Sequence, residues 1–185
     1  MNTSNINDRY HPLSIAAHWL TLVLLIAIYA LIELRDFFPK GSDPREAMKT
    51  WHAMLGLTVF GITFVRLAAR CFSHAPGIEP ALPAWQQFLA RAMHVALYVF
   101  LIVMPLLGWL MLSAKGKAIP FFGLDLPALL APDKALGKSI EDIHGLIGNI
   151  GYFLIGLHAL AGVGHHYLLR DNTLRRMSPW RLRSD

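Results

Sequence analysis

Cysteine is almost missing from this chain: Cys71 stands alone among 185 residues. One thiol excludes an internal disulfide framework and the Cys-x-x-Cys-His motif that attaches haem covalently. Charge is scarce as well. Lys, Arg, Asp and Glu make up 16% of the residues against 55% hydrophobic ones, too oily a balance for an ordinary soluble domain of this size. What charge exists is segregated. None occurs from Tyr10 to Ile32, Thr50 to Val65, Ala92 to Ala114 or Ile143 to Leu169, runs of 23, 16, 23 and 27 residues.

A lipid-spanning helix takes about 20 mainly apolar residues. Three runs qualify as they stand, and the second qualifies once Arg66 snorkels towards the headgroups and Leu67, Ala68 and Ala69 complete it. We therefore expect an all-α membrane protein, one domain over residues 1–185. Its core is a four-helix transmembrane bundle with helices at 13–34, 51–70, 88–112 and 143–169. The first run is long enough to span and no small-residue cleavage site follows it, so no cleavable signal peptide is expected. No internal repeat or low-complexity segment interrupts the pattern.

Four crossings bring both termini to one side. That side collects nine cations (Arg9, Arg66, Arg70, Arg91, Arg170, Arg175, Arg176, Arg181 and Arg183) against the acids Asp8, Glu79, Asp171 and Asp185. Eight cations and eight acids fall on the other, so the count decides little. The basic C-terminal tail leads us to expect the termini in the cytoplasm. The net charge of +5 then suits a lipid surface better than nucleic acid. The connection from Lys115 to Asp142, broken by Pro120, Pro127 and Pro132, is expected to lie over the outer mouth and to hold a short interfacial helix.

Against this apolar background the histidines need explaining. His18, His52, His94, His144, His158, His165 and His166 lie in or at the edges of the helices, while His11 and His74 are expected in water. A single imidazole in such a helix is commonly satisfied by a polar neighbour, but several on facing helices point to function. The step from His144 to His158 is 14 residues, about 40° short of four turns with a rise of about 21 Å. Both rings share one face at two depths. His52 matches His144 at the outer level, and His18 approximately matches His158 at the inner one. Gly56, Gly148 and Gly162 follow His52, His144 and His158 by one turn, serving either a flat ligand's approach or helix packing.

A zinc or copper path would want carboxylates or paired cysteines, which the runs lack. Two haem b groups between the helices, each held by two neutral imidazoles, fit better.

The segments AAHWL (16–20), ELRDFFP (33–39), WHAMLG (51–56), MPLLGWLM (104–111) and IGYFLIGLHALAGVGHHYLLRDNTLRRMSP (150–179) make the chain similar to bacterial cytochromes b561. It most resembles the short diheme, superoxide oxidase-like members. The resemblance implies His18 and His158 as ligands of an inner haem and His52 and His144 of an outer one. It further implies oxidation of superoxide on the periplasmic side and reduction of ubiquinone near the cytoplasmic side. Six-coordinate iron leaves no open position, so electron transfer rather than oxygen binding is expected.

His165, two turns beyond His158, is the candidate for holding the quinone and relaying a proton. Lys49 and Lys115, with Lys117 and Arg45, are candidates for steering an anion, or form an exposed polar rim. Arg66 and Arg70 either meet haem propionates or anchor the second helix. His94 is a quinone-site residue, an alternative ligand to His18 or a helix contact. The competing reading is a cytochrome b subunit that passes electrons between a partner dehydrogenase or hydrogenase and quinone.

Overall fold

The computed structural model describes residues 9–73 and 75–180. His74, Asp8, Arg181, Arg183 and Asp185 lie outside them. Four long helices follow one another: α1 (Pro12–Leu34), α2 (Asp43–Phe72), α3 (Ala84–Ala114) and α4 (Lys134–Tyr167), with a short α5 (Thr173–Met177) after them. All four are long and apolar enough to cross a membrane. Neighbours in sequence are neighbours in space, since α1 packs on α2, α2 on α3 and α3 on α4. The chain is thus the expected four-helix bundle.

Helices α2 and α4 begin eight and nine residues before the expected starts at 51 and 143. The physical reason is capping. Pro44 sits in the first turn of α2, with Asp43 and Glu46 beside it at the positive end of the helix dipole. Asp133 caps α4 by accepting from the backbone N–H groups of Ala135 (2.9 Å) and Leu136 (3.0 Å). Charge ends the lipid-compatible run but not the helix.

The early start of α4 leaves no interfacial helix in the third connection. A two-stranded hairpin takes its place, Pro120–Phe121 (β1) paired antiparallel with Leu124–Asp125 (β2). Phe122 and Gly123 turn it with φ of +49° and +88°, the two positive values a tight hairpin turn requires. Phe122 lies against α2, edge-on to Trp51 at 6.3 Å, with its N–H 3.4 Å from Met54 Sδ. The hairpin therefore covers the end of the bundle where His52 lies.

Val59, Phe100 and Leu101 form the buried core, with Leu24, Leu25, Ile28, Met104, Ile147, Leu154 and Ile155 around it. On α1, α2 and α4 these residues fall between the two histidine levels. Many other large apolar side chains face outward: Val23, Ile26, Val95, Phe153 and Leu160 are each at least 60% exposed, as suits a bundle whose outer surface meets lipid. Thr21 and Thr63, buried at 2% and 0% exposure, return their hydroxyls to the carbonyls of Ala17 and Val59 at 2.7 Å.

The first and last described stretches meet at one end of the bundle, the termini end. Tyr10 N–H bonds the Arg176 carbonyl at 3.2 Å, and Trp19 Nε1–H bonds that of Met177 at 2.7 Å.

Candidate functional site

Two imidazole pairs face each other inside the bundle. At the end away from the termini, His52 of α2 and His144 of α4 have ring centroids 6.3 Å apart. At the termini end, His18 of α1 and His158 of α4 stand 6.2 Å apart. An iron bonded to two facing imidazoles, each about 2 Å away with its ring centre about 1.1 Å further on, separates the centroids by about 6 Å. Both pairs match that spacing, and they match each other.

The ring nitrogens carry the test further. A ligand histidine needs its second nitrogen protonated and directed at an acceptor. His52 meets this: Nδ1–H donates to the Ile28 carbonyl at 3.0 Å, leaving Nε2 free. His144 Nδ1 is buried and makes no full hydrogen bond among the described residues, but the backbone carbonyl of Met104, an acceptor, faces the ring. His18 is different. The Arg66 guanidinium lies 3.3 Å from its Nδ1, and a guanidinium can only donate. That contact puts the lone pair on Nδ1; bonding a metal through Nε2 requires Arg66 to move off. The residues at both levels fit b-type haem on this condition.

Arg66 itself is not the snorkelling residue expected from the sequence. It is half-buried, turned inward between His18 and the Tyr98 ring, whose centroid lies 5.6 Å away.

His94 of α3 joins the same level, 5.5 Å from His158, with Nδ1–H donating at 2.6 Å to the Ala90 carbonyl one turn back. Three rings therefore converge where the sequence argues for two. His11 caps α1, accepting from Leu13 N–H at 3.3 Å. His166 lies with Nδ1 3.3 Å from the Asp171 carbonyl.

Around His52 and His144 the helices leave a cavity of about 310 Å³ lined by Gly56, Gly145 and Gly148 as well as by Met104, Arg35 and Tyr152. A Cβ at Gly56 or Gly145 would meet nothing within 4 Å, whereas one at Gly151 would collide with Phe100 and Tyr29. Of the glycines one turn beyond a histidine, two border this cavity, whereas Gly162 does not line it and a Cβ there would meet nothing within 4 Å. Gly56, Gly145 and Gly148 border the cavity, and Gly151 serves packing.

Two of the rim lysines are paired. Lys49 Nζ lies 2.5 Å from Glu46 and Lys115 Nζ 2.9 Å from Glu141. Arg45 is held by the carbonyls of Arg35 and Phe38 and by Asp36.

Sequence reasoning counted Asp171 only as a charge, yet its Oδ2 lies 2.7 Å from His165 Nδ1 and its side chain is 1% exposed. It also missed a contact at the far end, where Tyr152 Oη donates to Glu33 at 2.8 Å. Both pairs are formed by tertiary packing or chain reversal, and no spacing rule announces them.

A family model described as prokaryotic cytochrome b561 matches residues 9–180. Cytochrome b561 homolog 1 of Escherichia coli strain K12 is 39% identical over 174 residues, covering 94% of this chain and 99% of that protein. A probable superoxide oxidase CybB of Yersinia pestis is 35% identical over 174 residues, covering 94% and 98%. Cytochrome b561 homolog 2 of Escherichia coli is 29% identical over 178 residues, covering 96% and 95%.

Proposed function

The chain belongs to the prokaryotic cytochrome b561 family of electron-transfer membrane proteins, which bind b-type haem, and from that premise we propose that it is a superoxide:ubiquinone oxidoreductase of the bacterial inner membrane. The observation that carries this reading is the pair of facing imidazole couples at the two ends of one bundle, with His144 and His158 on one helix, about 21 Å apart in rise. The name of the Yersinia pestis relative supports the choice of donor.

In this reading His52 and His144 hold one haem and His18 and His158 a second, each supplying a one-electron carrier when bound. Superoxide meets the end away from the termini, in the periplasm, and leaves as dioxygen after giving up one electron. Two such events supply the electrons with which a ubiquinone at the cytoplasmic, termini-bearing end takes up two protons to become quinol. His165 holds the quinone carbonyl and passes a proton to it.

Oxidised protein mixed with a superoxide pulse is expected to show reduced b-type absorbance at a rate far above background. With ubiquinone present, one quinol forms for every two superoxide ions consumed. Unreduced haems under those conditions would instead favour a subunit that relays electrons from a partner dehydrogenase or hydrogenase to quinone.

Attraction of the anion falls to Lys49 and Lys115, whose pairing with Glu46 and Glu141 leaves each pair neutral but with its cation on the rim. Changing both lysines to glutamine is expected to lower the second-order rate with superoxide severalfold in dilute buffer. The difference shrinks as salt shortens the Debye length towards about 8 Å at 0.15 M. A rate that is unaltered at low salt removes the steering role.

A further inference from the structure

Beyond His158, α4 runs two more turns to His165 and ends at Tyr167. The chain then reverses. Arg170 adopts φ of +54°, a left-handed conformation uncommon for a residue with a side chain, and Asp171 N–H bonds back to the His165 carbonyl at 3.2 Å. The reversal returns the Asp171 carboxylate to the helix end, where Oδ2 meets His165 Nδ1 at 2.7 Å and Oδ1 accepts from Thr173 N–H at 2.9 Å.

The segment is held from outside as well. Asn172 N–H bonds the Glu79 carbonyl at 3.1 Å, and its side-chain oxygen accepts from Glu79 N–H at 3.0 Å, tying the turn to the connection between α2 and α3. Asp171 is thus a buried carboxylate in a braced frame, aimed at one atom of one histidine.

Burial works to raise the Asp171 pKa, but the hydrogen bonds from Thr173 and His165 outweigh it and hold the carboxyl below its ordinary value. An ionised carboxylate only accepts hydrogen bonds. The proton between the two residues therefore belongs to Nδ1 of His165, and Nε2 is the nitrogen left for other work.

We propose that Asp171 is the positioning residue of the quinone-reducing end, fixing the ring orientation and the Nδ1–H tautomer of His165 so that Nε2 exchanges a proton with the quinone oxygen. The proposal rests on the reading that His165 serves the quinone. In the step itself, the lone pair of Nε2 first takes a proton from water at that end, giving an imidazolium held against the Asp171 carboxylate. That Nε2–H bond then breaks as an O–H bond forms on a quinone receiving electrons derived from superoxide, which returns the ring to its Nδ1–H tautomer. Asp171 neither gains nor loses a proton.

A purely structural role, as a brace for the turn, predicts different behaviour from Asp171→Asn. An amide that keeps its oxygen on Thr173 N–H turns its NH2 group to His165. Nδ1 must then accept, and the proton moves to Nε2. The holoprotein carrying this change is expected to keep both haems, its thermal midpoint and its rate of reduction by superoxide. Its kcat for reducing a short-chain ubiquinone falls at least about tenfold while KM moves little. Nitrogen-15 NMR of the reduced protein, labelled at histidine, reports the His165 proton on Nδ1 in the parent and on Nε2 in the variant. Asp171→Glu restores part of the rate.

An unchanged kcat or an unchanged tautomer in Asp171→Asn overturns the proposal, as does a loss of haem or thermal stability in parallel with the rate. His165→Ala, measured alongside, separates this from the parent reading. If His165→Ala also reduces quinone at the full rate, the assignment of the quinone to His165 has failed. If only His165→Ala is slow, that assignment stands and the role of Asp171 has failed.

Discussion

Replacing His158 with alanine is expected to leave one haem per chain where the parent holds two, whereas replacing His94 leaves both. The three rings at the termini end make this the most informative substitution, because His158 is common to both ways of pairing them. It stands 6.2 Å from His18 and 5.5 Å from His94. The distal pair, His52 and His144, is set at 6.3 Å, and two sites built for one cofactor call for one spacing. His18 satisfies that condition; His94 is too close. The Nδ1–H of His94 donates to the Ala90 carbonyl much as that of His52 donates to Ile28, so spacing rather than hydrogen bonding separates His94 from His18.

With one cysteine and no covalent attachment motif, retention of the cofactor depends on axial ligands and packing alone. Removing one imidazole therefore costs the site rather than weakening it. The measurement is the haem-to-protein ratio from the pyridine haemochrome spectrum, expected to fall by about half in His158→Ala and equally in His18→Ala, His52→Ala and His144→Ala. Loss of a haem in His94→Ala, with retention in His18→Ala, would exchange the ligand assignment at the termini end.

The bundle could be read from the sequence because lipid excludes charge, and charge-free runs long enough to span are the direct imprint of that exclusion. The same signal is blind to helix beyond the lipid. The charged first turns of α2 and the first turns of α4 are set by Pro44 and by the Asp133 cap, which hydropathy does not register. Helical periodicity put His144 and His158 on one face and matched their levels to His52 and His18, and the structure brings those rings together. Periodicity could not choose between His18 and His94, since choosing needs the rotation of α1 and α3 about their own axes. Arg66 was misjudged for a related reason. Snorkelling assumes that the shortest way out of lipid leads to the headgroups, whereas this guanidinium turns inward, between the His18 and Tyr98 rings. Asp171 was invisible because its position depends on a left-handed residue at Arg170 that no composition rule requires.

Gly151→Ala is expected to lower the thermal midpoint in detergent, and Gly151→Leu to cost the distal haem as well. A Cβ built at Gly151 stands 2.7 Å from Phe100 Cε2 and closer still to Tyr29 Oη, both inside the range where something must shift. Neither neighbour yields freely. Phe100 belongs to the buried core, and Tyr29 is fixed by donating to the Gly148 carbonyl at 2.8 Å and by its ring lying 4.3 Å from that of Tyr152. A single added methyl in so tight a crossing costs about 1–3 kcal/mol by overpacking. Leucine pushes α4 away from α3. His144 lies seven residues from Gly151, two turns along the same face, so that displacement carries its ring off the 6.3 Å spacing to His52. The control is Gly61→Ala on α2, where a Cβ meets nothing within 4 Å and helix propensity alone favours alanine by about 1 kcal/mol. Thermal scans and haem ratios of the three variants test this together. Gly61→Ala holds or gains stability, Gly151→Ala loses it with both haems in place, and Gly151→Leu loses the haem of the His52 level first. Equal midpoints for the two alanine variants would mean that α4 does not ride on Phe100 at Gly151, and that the spacing of the distal pair is set elsewhere.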